Sequence, residues 1–293
     1  MSLSRRTALA CLTALPLAAC GRGDAVAVGS KDFTEAIIIG ELYAQALEGA
    51  GLHVERRLSL GGSNIAMAAL QRGGIDLYPE YTGTGLVDIL HLPSDGNEAR
   101  AFATVARTYG ERYGLRWLAR TPMSDTQAIA CTRATAQRYR LRTLSDLAAR
   151  AAELRIGAVP EFVKRADGLP GLQKTYGGFH FKEVRLIDFG LKYAALLHGD
   201  IDVVVAFSTD GAIAADSLVL LTDDKHLFPA DNCAPVARPD ALARHPQIAP
   251  ALDALSAHIT TGAMRALNLQ VDGPEKREPE DVAHDFLASI RRG

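Results

Sequence analysis

One phrase of this chain is written twice. Ala68-Ala69-Leu70, Gly73, Ile75-Asp76, Tyr81-Thr82 and Gly85 recur as Ala194-Ala195-Leu196, Gly199, Ile201-Asp202, Phe207-Ser208 and Gly211, always 126 positions later. Two copies without a shorter period argue against a solenoid, which needs three or more repeats. They predict two lobes built alike, each ending a buried strand in an aromatic residue followed by a hydroxyl. In the first copy an Ala/Leu-rich helical pattern over 65–71 stops at Gly73-Gly74, where a positive φ is wanted. Ile75, Leu77 and their neighbours then supply a strand that Pro79 keeps short. Ligands of open α/β sheets bind at the carboxyl ends of strands, so two such ends facing one another make a cleft.

The flanking pattern agrees. Strand-like runs at 25–28, 53–58 and 75–77 alternate with helical ones at 35–48 and 65–71, and the alternation begins again at 154–159. Such βαβ series predict an α/β fold with mostly parallel sheets flanked by helices. Residues 143–152 read as a helix with a capping start, Thr143 standing three before Asp146. A helix over 160–174 is expected on both sides of the Gly168-Leu169-Pro170-Gly171 break, and amphipathic helices over 239–267 and 279–292 are expected to pack on the first lobe. Two polar, proline-broken stretches, 121–127 and 228–233, read as crossings between lobes and would act as the hinge. Lobe 1 is therefore placed at 25–125 plus 232–293 and lobe 2 at 126–231.

With 293 residues, 48% hydrophobic and 23% charged, the chain can bury two cores. Its net charge of −2 gives no electrostatic case for nucleic acid. Residues 1–20 read as an export signal: Arg5-Arg6, an apolar run, then Leu17-Ala18-Ala19-Cys20. The run is too short to remain as a spanning helix. Leu-Ala-Ala-Cys resembles the bacterial lipobox, which would make Cys20 a lipidated anchor on the periplasmic or cell-surface side of a membrane; a plain secretory signal is the alternative. Cys131 and Cys233, an even pair in an exported chain, are either a disulfide or two buried thiols.

Catalytic signatures are missing. No Gly-x-Ser-x-Gly, Gly-x-x-x-x-Gly-Lys-Ser/Thr or His-Glu-x-x-His occurs, and the cysteines lack metal-ligand spacing. Neither an enzyme, a metal nor a cofactor is indicated. An enzyme using the cleft would need acid/base pairs from Asp76, Glu80 and Asp210. Asp76 and Asp202, however, hold equivalent places in the two copies, which suits a shared structural job better. Ser30 and Thr34 open a helix over 35–48; each either caps it or meets a ligand at its N–H groups.

At this point a resemblance enters. Gly29-Ser30-Lys31-Asp32-Phe33-Thr34-Glu35, Leu60-Gly61-Gly62-Ser63, the run 75–84, Pro160-Glu161-Phe162, Arg165-Ala166-Asp167-Gly168-Leu169-Pro170-Gly171-Leu172 and Phe207-Ser208-Thr209-Asp210-Gly211 stand in order. Together they resemble the substrate-binding proteins of glycine betaine/choline/carnitine (osmoprotectant) ABC importers. The resemblance implies a two-lobed periplasmic-binding-protein fold of type II, acting as a monomer with permease and ATPase subunits. It also implies a cationic or zwitterionic small solute whose trimethylammonium group is boxed by rings from both lobes, each ring supplying ~0.5–2 kcal/mol in a desolvated site.

Carried over by position, Tyr81 matches a cage tyrosine, Thr84 a polar contact, and Phe207 a ring that is usually tyrosine. Gln127 and Asp231 fall where two further rings are usual, and Ser30, Thr34 and Ser63, at helix starts, are further candidate ligand contacts. Two of four rings are thus replaced, and Asp125 and Asp231 become carboxylates that line the cleft or cap local turns facing solvent. If they line it, a choline-like cation or another amine fits better than glycine betaine, whose carboxylate they would repel. A different polar solute, or an enzyme or sensor using the same cleft, is the alternative. Arg165 and Asp167 read as local structure. The matched crossings place Cys131 and Cys233 on neighbouring hinge strands, where a disulfide would restrain closure.

Overall fold

Ten strands form two five-stranded sheets with one plan. The structure is a computed structural model that describes residues 25–94, 96–228 and 231–292; the export segment with Cys20 lies outside them. The first sheet holds β1 (Ala25–Gly29), β2 (His53–Arg57), β3 (Leu77–Tyr81), β4 (Arg116–Trp117) and β10 (Cys233–Ala237), in the order β2-β1-β3-β10-β4. The second holds β5 (Gln127–Cys131), β6 (Arg155–Ala158), β7 (Glu183–Leu186), β8 (Val203–Phe207) and β9 (Val219–Leu220), in the order β7-β6-β8-β5-β9. Laid over one another, the orders match β1 with β6, β2 with β7, β3 with β8, β4 with β9 and β10 with β5. In each sheet only the crossing strand, β10 or β5, runs against its neighbours. The α/β, two-lobed, mostly parallel architecture is the one expected.

Sequence explains the layering. The Val203-Val204-Val205-Ala206 run is buried on both faces, as a central strand between helices requires. Val203 and Val205 join one core of the second lobe, Val204 and Ala206 the other, following the period of two. The helices Ile248–Ser256, Thr261–Asp272 and Pro279–Ile290 send Leu252, Met264 and Leu287 into the core that holds Val26, Val28 and Leu42. The chain end thus packs on the first lobe, as the amphipathic pattern predicts.

The two aspartates of the doubled phrase do the same work. Asp76 Oδ2 accepts the Ala27 N–H at 2.9 Å, and the Asp76 N–H reaches the Ala27 carbonyl at 2.7 Å. Asp202 Oδ2 accepts the Arg155 N–H at 2.8 Å, and the Asp202 N–H reaches the Arg155 carbonyl at 2.9 Å. Each pins the start of its ring-bearing segment to the neighbouring strand. Gly73 takes the expected positive φ of 71°. Thr143 and Asp146 form the expected capping box.

Four expectations are corrected. The strand is Leu77–Tyr81, two residues later than the Ile75–Leu77 pattern suggests. Pro79 is tolerated there because it stands opposite Pro235 and because β1 pairs with β3 only through Val28 and Leu77. Ser30 and Thr34 do not cap the helix Thr34–Gly49, whose N-cap is Phe33 without a side-chain hydrogen bond. Ser30 Oγ instead accepts the Ser59 N–H at 2.9 Å, and Thr34 Oγ1 donates to Asp272 Oδ1 at 2.7 Å. Of the 160–174 stretch only Leu169 onward, in Leu169–Tyr176, is helical, because Gly168 lets the chain fold back onto Phe162. Finally, Cys131 and Cys233 are free and buried. From the Asp125–Asp231 hydrogen bond the two crossings run in opposite directions, six residues to Cys131 and two to Cys233. At ~3.3 Å per residue that separates them by roughly 25 Å, far beyond disulfide reach.

Candidate ligand-binding site

The residues after each ring tie the lobes to the crossings by the same stitches. The Thr82 N–H donates to the Asn232 carbonyl at 2.9 Å, and the Asn232 N–H to Thr82 Oγ1 at 3.0 Å. In the second lobe the Ser208 N–H donates to the Thr126 carbonyl and the Thr126 N–H to Ser208 Oγ, both at 3.0 Å. The crossings bond one another through the Asp125 N–H and the Asp231 carbonyl, 2.9 Å apart. Two strand ends and two crossings therefore converge, bringing Asp125 and Asp231 between Tyr81 and Phe207.

Four rings run in a row across this junction. Tyr81 lies 5.9 Å from Phe33, Phe33 stacks on Phe189 at 5.6 Å, and Phe189 stacks on Phe207 at 5.8 Å. Phe33 belongs to the first lobe and Phe189 to the second, so the middle stack bridges the cleft. Phe33 lies inside a motif that carries the resemblance, and Phe189 lies in none of them. Phe189 stands 126 positions after Ser63, which opens the helix Ser63–Gln71, so the doubled phrase carried upstream places it just before the matching helix Lys192–Leu197.

Three buried carboxylates stand among the rings. Glu35 accepts the Tyr81 hydroxyl at 2.9 Å and the Asn268 amide at 2.9 Å. Burial pushes its pKa up to about 7 against the pull of those hydrogen bonds. Asp125 accepts the Thr209 hydroxyl at 2.6 Å, and burial, followed by the charge of Glu35, raises its pKa strongly. Asp231 accepts the Gly83 N–H at 2.5 Å and the Thr84 N–H at 3.3 Å. Burial pushes its pKa up to about 6, while Arg165 and Lys31 hold it back. Asp231 thus caps the turn after β3, yet both aspartates are buried rather than facing solvent. Among the described residues none of the three has a basic side chain within ion-pair distance. The basic groups nearby are already paired: Lys31 with Glu80 at 2.5 Å, Arg165 with Asp167 at 2.7 Å, Lys192 with Asp210 at 2.7 Å.

The remaining named residues divide. Thr84 Oγ1 lies 3.2 Å from Asp231 Oδ2 and receives Arg165 Nη1 at 3.3 Å, so Arg165 bridges the lobes as well as holding Asp167. Gln127 pairs with Phe207 across the β5–β8 ladder and donates to Asp167 at 3.4 Å. Ser63 is buried in the first turn of the helix Ser63–Gln71. Ser30 Oγ bonds Lys31 and Ser59, and Thr34 Oγ1 bonds Asp272.

Rings and acids gather where the two crossings meet. Residues 24–289 match the family model described as the substrate binding domain of ABC-type glycine betaine transport systems, and the chain belongs to that family. A glycine-betaine-binding protein of Pseudomonas aeruginosa is 34% identical over 97% of this chain and 94% of its own. The ergothioneine transport permease/ergothioneine binding protein of Helicobacter pylori is 33% identical over 90% of this chain, which spans 47% of that longer protein. A crystal structure titled as a glycine betaine/carnitine/choline ABC transporter is 31% identical, covers 91% of this chain and 98% of its own, and superposes with a TM-score of 0.76.

Proposed function

We propose that this protein captures a quaternary ammonium or related cationic solute of the choline/betaine class and delivers it to the permease and ATPase subunits of an ABC importer. The observation that carries the reading is the cross-lobe ring row with Glu35, Asp125 and Asp231 beside it and, among the described residues, no basic side chain paired with any of the three. A cation without hydrogen-bond donors is held by ring faces, and buried carboxylates add direct charge pairing. The same acids work against a ligand carboxylate, so choline and other amines fit better than glycine betaine. Asn268 Oδ1, buried beside Glu35 without a donor, favours a ligand carrying a hydroxyl or N–H.

The chain works as a binding protein rather than an enzyme in this reading, exported and held at the outer side of a bacterial membrane through Cys20, as a monomer. Among the described residues no helix is long and apolar enough to cross a membrane. Calorimetry on the purified protein with choline, glycine betaine, carnitine, ergothioneine and putrescine tests the ligand class. Choline or another carboxylate-free amine is expected to bind tightest, and Asp125→Asn to weaken it. Tightest binding of glycine betaine, unchanged in Asp125→Asn, would overturn the preference for a carboxylate-free cation. Silence across the whole panel would overturn the choline/betaine class.

A further inference from the structure

Lys192 sits where a ligand would be expected. Its ammonium lies 4.7 Å from the centroid of Phe207, 4.9 Å from Tyr193 and 5.5 Å from Phe189. All three rings are within the ~6 Å at which a π face attracts a cation. The side chain is only 4% exposed and ends on Asp210 Oδ2 at 2.7 Å. That oxygen also accepts the Tyr193 hydroxyl at 2.5 Å and the Phe207 N–H at 2.9 Å, so the pair is fixed in place by the same residues that form the rings. Two of those rings, Phe189 and Phe207, are the second-lobe half of the row that crosses the cleft. The first lobe carries a lesser version: Lys31 faces one ring, Tyr81, at 5.0 Å and is held by Glu80.

We propose that Lys192 is a resident cation filling the second-lobe half of the aromatic cage, and thereby a specificity-determining residue. The proposal rests on the reading that the cleft binds a cationic solute. Phe207 and Phe189 face a cation supplied from within the chain, so an incoming ammonium head is received on the first-lobe side, where Lys31 faces a single ring, Tyr81, and Glu35 adds a carboxylate. A solute with a second positive centre meets Lys192 instead of an open cage and is rejected by like charge. The site selects monocations. The replacement of cage rings by Gln127 and Asp231 belongs with this arrangement: the lobe that lost Gln127's ring is the one that fills its cage itself.

Calorimetry with choline and with putrescine, on the wild type and on Lys192→Met, tests the proposal. The wild type is expected to bind choline and not putrescine. Lys192→Met empties the cage without adding bulk, and choline affinity is expected to rise about tenfold, the yield of one or two desolvated ring contacts. Asp210 loses its partner in that variant, so Lys192→Met with Asp210→Asn is measured too, removing both charges and keeping the buried site neutral. Unchanged or weaker choline binding by folded Lys192→Met and by the double variant would overturn the proposal. So would loss of glycine betaine binding with choline unaffected, which would make Lys192 a carboxylate contact. Absence of binding by every panel member to the wild type and both variants would overturn the cationic-solute reading itself, a different result from a wild type that binds but does not improve.

Discussion

The two lobes share strand order, strand-end stitches and a pinned aspartate, and differ in what surrounds the ring. In the first lobe Tyr81 gives its hydroxyl to Glu35, a carboxylate with no cationic partner among the described residues. In the second lobe Phe207 has no hydroxyl, and its face is taken by Lys192, already neutralised by Asp210. The repeated scaffold thus carries its charges differently: the first lobe sets one lysine, Lys31, over one ring, and the second sets Lys192 among three. On the proposed function, that difference would set the orientation in which an asymmetric solute enters.

The largest effect expected is on the first-lobe ring. Tyr81 is 2% exposed, and Tyr81→Ala removes a buried aromatic side chain, a change that costs ~3–5 kcal/mol. Phe207 lies half-buried at its strand end, so Phe207→Ala should cost roughly half as much or less by chemical denaturation. Equal losses would break the contrast between the lobes. A smaller contrast is expected from the paired aspartates. Asp76 is fully buried and Asp202 is not, so Asp76→Ala should cost ~1–3 kcal/mol for the orphaned Ala27 N–H and Asp202→Ala less.

Next comes pH. Glu35 has its pKa raised to about 7 and Asp231 to about 6 by burial, so the folded protein binds more protons than the unfolded chain between pH 4 and 7. Their stabilising share is therefore full below the unfolded carboxyl pKa values and is lost as pH rises through the folded ones. Thermal melts of the ligand-free protein should fall from pH 5 to pH 8, and Glu35→Gln should flatten the slope. Choline binding favours the ionised acids, so it should tighten over the same range and release protons at pH 6.5, read by calorimetry in buffers of different ionisation heat. A melt that climbs from pH 5 to 8 would refute the first-lobe side of the comparison. The smallest effect is on the thiols: Cys131 and Cys233 are free and buried, so reductant should leave the melting temperature unchanged and labelling should require denaturant.

Much of this was legible in the chain because it lies in patterns that repeat. The 126-residue echo predicts both strand ends, and with them Tyr81, Phe207 and the shared role of Asp76 and Asp202. Proline and polar residues mark the crossings, while Asp125 and Asp231 stand out only through the family resemblance. The rest depends on closeness in space. Phe33 and Phe189 meet only because two loops face each other across the cleft. Glu35 looks like an ordinary first-turn helix acid until Asn268, 233 positions away, is seen bonded to it. Lys192 sits in a short helix, Lys192–Leu197, in a pattern that a surface lysine would also satisfy. Of the two alternatives for Cys131 and Cys233, the buried thiols hold and the disulfide does not, because direction along the crossing strands decides the distance.

Each crossing strand is also a member of the sheet it enters, hydrogen-bonded residue by residue to the strand that ends in a ring. The pivot and the grip are therefore one continuous ladder. When a lobe turns about the Asp125–Asp231 junction, the axis passes within a residue or two of the carboxylates that would meet the solute. A molecule that changes their charge loads the joint itself, and the far edge of the lobe amplifies that load as a lever does. The signal a transporter reads on the outer surface would then begin at the fulcrum.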